Sequence, residues 1–141
     1  MTRGDTVRWA VDTSVAVAAL DAGHVEHVAC RAACAQRRPA LAGHALFESY
    51  SVLTRLPGAN RVDPATAGEV LQLAFPDRCF LTARQHDELF RRLARLNLVG
   101  GMVYDALVGE AARVADRTLM TRDRRALRTY EAVGVRVEFV S

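Results

Sequence analysis

The chain has 141 residues, half of them hydrophobic and a quarter charged, which is enough to bury one core and leaves no composition typical of a disordered chain. Three scattered cysteines exclude a disulfide framework. The net charge of +3 is uneven, with seven Arg against eight acids over residues 1–77 and twelve against eight over 78–141; the absence of Lys is first of all a coding bias, although Arg also suits bidentate phosphate contacts.

Residues 1–141 read as one domain. Met1 to Trp9 carries Arg3, Asp5 and Arg8 with no apolar run, so neither a leader nor a membrane span is expected and the protein is placed in the cytoplasm. Val7 to Val11 is a short strand ending at Asp12, and Thr13 and Ser14 lead into an Ala-rich helix to Leu20. A helical pattern follows from His24 to Arg37, then the apolar run Ala40-Leu41-Ala42 and a helix from His44 to Arg55, ended by Pro57-Gly58. Asp63 as N-cap and Pro64 at the first helical position start a helix that runs to Phe75. Arg78 to Thr82 is a strand candidate. Arg84 to Leu96 reads as an amphipathic helix with Leu89, Phe90, Leu93 and Leu96 on its apolar face. After Gly100-Gly101 come a helix from Val103 to Ala115, the strand Thr118 to Thr121, a turn at Asp123, a helix to Tyr130 and a last strand from Val135 to Val140.

Strands alternating with helices, without hairpin signals, predict an α/β domain with helices on both faces of a mostly parallel sheet. Sites in such sheets lie beyond the carboxyl ends of the strands. Asp12 and Asp123 both follow strands, Asp105 sits in the first turn of a helix, and Glu48 interrupts the apolar stretch Ala45 to Leu53. Gathered carboxylates repel one another unless a cation compensates, and hard oxygen donors favour Mg²⁺ or Mn²⁺, which polarise a phosphodiester and activate water. Taken singly, each acid has a plainer role: Asp12 as a helix cap, Asp105 as a partner of its helix dipole, Asp123 as a turn residue and Glu48 as a helix-surface acid.

The combination is more specific. Val11-Asp-Thr-Ser-Val15, Phe47 to Pro57, Tyr104-Asp-Ala-Leu-Val-Gly-Glu-Ala-Ala112 and Leu119-Met-Thr-Arg-Asp123, with Tyr130 and Gly134 to Val137, resemble in order and spacing the PIN-domain nucleases, in particular the VapC toxins of bacterial toxin-antitoxin pairs. The resemblance implies a three-layer α/β/α fold around four to five strands, and a Mg²⁺-dependent endoribonuclease (Mn²⁺ being the other candidate ion) whose catalytic and metal-holding acids are Asp12, Glu48, Asp105 and Asp123. It also implies supporting roles for Ser14 and Thr121, a cognate VapB-type antitoxin, an RNA substrate and a homodimer. Asp116 is the one rival to Asp123, and His44 is a further candidate near the cleft.

Other features are weighed beside these. His24, His27, Cys30 and Cys34 would stretch over about 15 Å of one helix, too far for one ion, and no zinc site is read there. Arg122 and Arg124, flanking Asp123, are the better candidates for RNA contact; Arg84, Arg91, Arg92 and Arg95 read first as a solvated helix face. With nine scattered aromatic residues there is no stacking platform for bases. Three alternatives stay open: a PIN enzyme acting on DNA or in RNA maturation without an antitoxin, a catalytically silent binding module, and a Mg²⁺-dependent phosphatase, in which a second Asp is expected where Ser14 stands.

Overall fold

A computed structural model describes residues 6–141; much of the stretch read as carrying no leader, residues 1–5, lies outside the described residues. Five strands form the sheet: β1 (Trp9–Val11), β2 (Ala40–Ala42), β3 (Arg78–Cys79), β4 (Thr118–Thr121) and β5 (Val137–Phe139). The helices among the described residues are α1 (Thr13–Leu20), α2 (His27–Arg37), α3 (Ala45–Thr54), α4 (Pro64–Ala74), α5 (Ala83–Leu93), α6 (Met102–Val114) and α7 (Leu127–Val133), with a 3₁₀ turn at Gly58–Asn60. The strand order is β3-β2-β1-β4-β5 and every pairing is parallel.

That order fixes the layers. The chain crosses the sheet one way from β1 to β3 and the other way from β3 to β5. Right-handed crossovers therefore put α1 to α4 over one face and α5 to α7 over the other. The packing agrees: α1 touches α2 and α3, α3 touches α4, and α6 touches α5 and α7. The strands are apolar because both faces are covered; Val11, Leu41, Leu119 and Met120 are fully buried between the layers, each contributing about 1.5–3 kcal/mol by leaving water.

Local chemistry sets the element ends. Asp63 Oδ2 accepts from the Thr66 amide at 3.3 Å and Pro64 opens α4, as the sequence predicts. The strand expected to reach Thr82 stops at Cys79. Thr82 and Gln85 form a reciprocal capping box at the start of α5, which commits the chain to helix before the strand can extend. Phe90 departs from its predicted place on the apolar face: Leu89 is buried, but Phe90 is 73% exposed, one residue further round the helix. Two glycines mark close approaches. Gly43, at φ +46°, turns the chain out of β2 where a Cβ would lie 3.3 Å from that of Ala111. At Gly109 a Cβ would meet Tyr130 and Val133 at 3.0 Å, so α6 and α7 pack almost backbone to side chain.

Candidate active site

β1 is the point at which the strand order reverses, with β2 on one side and β4 on the other, and α/β folds place their crevice beyond the strand ends at such a switch. Asp12 leaves β1 there and Asp123 leaves β4. Glu48 reaches the same crevice from α3 and Asp105 from the first turn of α6. The four carboxylates line one cleft of about 530 Å³, together with Thr13, Ser14, Arg55, Arg122 and Tyr130.

Asp12 is held on all sides. One carboxylate oxygen accepts from the Ser14 hydroxyl at 2.6 Å and the Val15 amide at 3.3 Å; the other accepts from Thr121 Oγ1 at 2.5 Å and the Tyr130 phenol at 2.7 Å. Capping α1 and belonging to the cleft are therefore one arrangement, not rival readings. Burial pushes the Asp12 carboxyl above its usual range and these bonds pull it back only in part. Burial, then the Asp12 charge, pushes the Tyr130 phenol well up, so it stays a donor. The two hydroxyls read as supports do more than line the wall. Ser14 accepts from the Arg122 amide at 2.8 Å, and Thr121 accepts from the Asp123 amide at 3.0 Å, which ties the first turn of α1 to the β4 exit.

Glu48 accepts from the Thr13 hydroxyl at 2.5 Å. Asp123 accepts from the Arg125 amide at 3.0 Å. Asp105 is half-buried and its carboxyl is pushed up to about 6, first by burial and then by the charges of Asp123, Glu48 and Asp12. Asp105 thus feels the charges of the other three acids across the cleft. Among the described residues no three His, Cys, Asp or Glu side chains are gathered tightly enough to hold an ion as they stand. Their chemistry nevertheless fits a hard divalent cation: the facing donors are carboxylate and hydroxyl oxygens, and their mutual repulsion is what such a charge would relieve.

Other sequence candidates fall elsewhere. Asp116 precedes β4, so it lies at the opposite edge of the sheet; it is exposed and paired with Arg136 at 3.0 Å, which removes it as a rival to Asp123. His44 stacks on the Tyr104 ring, centroids 5.1 Å apart, beside a separate groove. His24 lines the cleft, whereas His27 bonds the Ala18 carbonyl at 2.8 Å and the Cys34 thiol is pushed up to about 12 by burial. Arg122 lines the cleft but is bonded to the Val140 carbonyl and lies 3.3 Å from Glu26. Arg124 lies over the Phe139 ring at 4.2 Å, outside the cleft lining. Arg92 is bound to the buried Glu110 at 2.7 Å, alongside Arg113.

Sequence reasoning missed Thr13, Tyr130 and Arg55 as cleft residues. Thr13 was within reach, since its hydroxyl sits next to Asp12 at a helix start; Tyr130 and Arg55 are delivered by helix register and packing that no short motif reports.

With this geometry in view, comparisons place the chain among known proteins. The family model for the PIN domain matches residues 10–132. The chain is 48% identical to ribonuclease VapC27 of Mycobacterium tuberculosis strain H37Rv over 128 residues, 91% of this chain and 93% of that protein. It is 41% identical to ribonuclease VapC40 of Mycobacterium tuberculosis over 133 residues, 94% of this chain and 98% of that one. Among solved structures it is similar to the VapC20 toxin of Mycobacterium tuberculosis, described as cleaving the Sarcin-Ricin loop, with a TM-score of 0.66 at 22% identity over 89% of this chain and 95% of that one; at that identity the likeness concerns the fold.

Proposed function

This chain belongs to the PIN-domain family, among the VapC ribonucleases, and from that premise we propose that it is a Mg²⁺-dependent endoribonuclease, the toxin of a toxin-antitoxin pair. One observation carries the reading: four carboxylates on four different elements line a single cleft at the switch point of the sheet. In this proposal Asp12 and Asp105 hold the principal ion, and Glu48 and Asp123 complete its surroundings. When bound, a divalent cation supplies Lewis-acid polarisation of the phosphodiester and activation of water. The chain's own residues supply preorganisation. The four donors on Asp12 fix its carboxylate before any ligand arrives, Thr13 sets Glu48, and Thr121 sets both Asp12 and the Asp123 backbone. In the hydrolysis itself a water oxygen bonds to phosphorus, the bond to the leaving sugar oxygen breaks, and that oxygen takes up a proton.

The proposal extends to partners. A VapB-type antitoxin would lay a peptide along the helical grooves and reach the acidic cleft, and the exposed aromatic residues Phe47, Phe80, Phe90 and Tyr104 would be covered in a homodimer. A cytoplasmic protein acting on RNA fits this role; among the described residues no helix is long and apolar enough to cross a membrane.

The test is cleavage of total RNA by the purified protein with Mg²⁺ and with EDTA. Wild type and Asp116→Asn should cut only with the metal, and Asp12→Ala and Asp105→Ala should not cut, each checked for folding by circular dichroism. Full cleavage by folded Asp12→Ala would refute the site. Mapping the 5′ ends of the products would identify the bond.

A further inference from the structure

The cleft that holds the four acids is also lined by Arg55, and we propose that this side chain grips the RNA backbone beside the scissile bond. The proposal rests on the ribonuclease reading above and names the residue that makes the cleft acceptable to a polyanion. Four carboxylates repel a phosphate strand, and one divalent ion offsets only part of that charge. The phosphate next in line needs a cation of its own.

Arg55 is the arginine placed to supply it. Arg122 shares the cleft, but its guanidinium is committed to Glu26 and the Val140 carbonyl. Arg124 stacks on Phe139. Arg37, Arg92 and Arg136 are paired with Glu138, Glu110 and Asp116. Arg55 is exposed, and among the described residues it makes no ion pair and no side-chain hydrogen bond. Its register is informative as well. Glu48 and Val52 on α3 and Arg55, the residue that caps its C-terminus, stand at i, i+4 and i+7, and all three line the cleft. One helix stripe therefore presents an acid at the inner end, an apolar step and a cation about 10 Å further out. A strand entering past Arg55 runs along that stripe to the acids. A guanidinium suits this task because it can take two phosphate oxygens at once, and a backbone contact of this kind favours no base.

Arg55 also closes the C-terminus of α3, where a cation complements the helix dipole; that role would move stability and leave RNA binding alone. The discriminating experiment is fluorescence anisotropy with a labelled single-stranded RNA oligonucleotide in Ca²⁺, confirmed uncut on a gel, across a salt series, for wild type, Arg55→Ala, Arg55→Lys and Arg136→Ala. Arg55→Ala should weaken binding roughly tenfold at low salt and lower the log–log salt slope by about 0.7. Arg55→Lys should keep the slope, and Arg136→Ala, which removes a cation paired with Asp116 at the opposite edge of the sheet, should match wild type. In Mg²⁺ turnover, KM should rise with kcat little changed. If wild type binds and cuts RNA and Arg55→Ala does so with the same slope and KM, the proposal is overturned and the ribonuclease reading stands. A loss seen on a DNA oligonucleotide and absent on RNA also overturns it. A wild type that neither binds nor cuts RNA removes both.

Discussion

Replacing Asp105 by Asn removes one charge from the cleft at nearly constant shape, and the metal-free protein should become more stable for it. The Asp105 carboxyl is pushed from 3.8 up to about 6 by burial and by Asp123, Glu48 and Asp12, so the folded state holds that proton more tightly than the unfolded chain does. Below both values the group is protonated in either state and costs nothing. As pH climbs through 3.8 the unfolded chain releases the proton first and stability falls, and the cost is complete above about 6. At about 1.36 kcal/mol per unit the ceiling is about 3 kcal/mol; solvent at the open side of the cleft screens part of it, leaving about 1–1.5 kcal/mol. For a domain near this size that is a rise in Tm of roughly 2–6 °C. Thermal melts in EDTA at about pH 7.5 should show the rise, and melts at about pH 3.5 should show it gone. Added Mg²⁺ should stabilise wild type more than the variant. An Asp105→Asn protein no more stable than wild type in EDTA at neutral pH would mean that the four acids do not strain the fold, and the metal argument would lose its footing.

Tyr130→Phe deletes the phenol that donates to Asp12 and should cost about 1.5–3 kcal/mol in urea unfolding, with RNA cleavage lowered; an unchanged midpoint would show that the bond is idle. Gly109→Ala places a methyl 3.0 Å from Tyr130 and Val133 and should destabilise by about 1–3 kcal/mol, shifting α7 and depressing cleavage through Tyr130; a fully active, equally stable variant would contradict that packing. Burial raises the Glu110 carboxyl, but its bonds to Arg113 and Arg92 outweigh this and hold it below its ordinary 4.5. Its stabilisation is therefore present above 4.5 and lost as pH falls through the lowered value. Glu110→Gln should lose about 1–3 kcal/mol near neutral pH, a gap that closes in denaturant titrations as pH falls below 4.5 and the carboxylate takes up its proton.

The site was legible in the sequence where strand ends fix position. Asp12 and Asp123 could be placed because a residue following a parallel strand must emerge at the carboxyl edge, and Asp116 could be rejected only once its position before β4 was known. Glu48 stood out because a charge among apolar neighbours on a helix needs a polar place to go. Arg55 did not stand out, since an arginine at a helix end is ordinary and only the register of α3 against the cleft reveals its neighbours. Tyr130 is separated from Asp12 by 118 residues, and its hydrogen bond depends on the Gly109 contact that seats α7, a pairing with no local sequence signal. Arg92 shows the reverse: on its own helix it reads as surface charge, and its partner Glu110 lies on the next helix. Fold class came through because strand and helix alternate cleanly, while the early end of β3 was set by a two-residue cap that outcompeted a short strand.

Asp12 and Asp105 are alike in charge and unlike in what depends on them. Both are buried at a cost, but four hydrogen bonds converge on Asp12 from α1, β4 and α7, while among the described residues no hydrogen bond offsets the burial of Asp105. A copy of this gene released from selection for cleavage would shed the second far more readily than the first. A paralogue that keeps the strand-exit acid and carries Asn or Ser at the α6 position is the expected relic of lost activity, and the same asymmetry makes Asp105→Asn the better inert protein for trapping bound RNA.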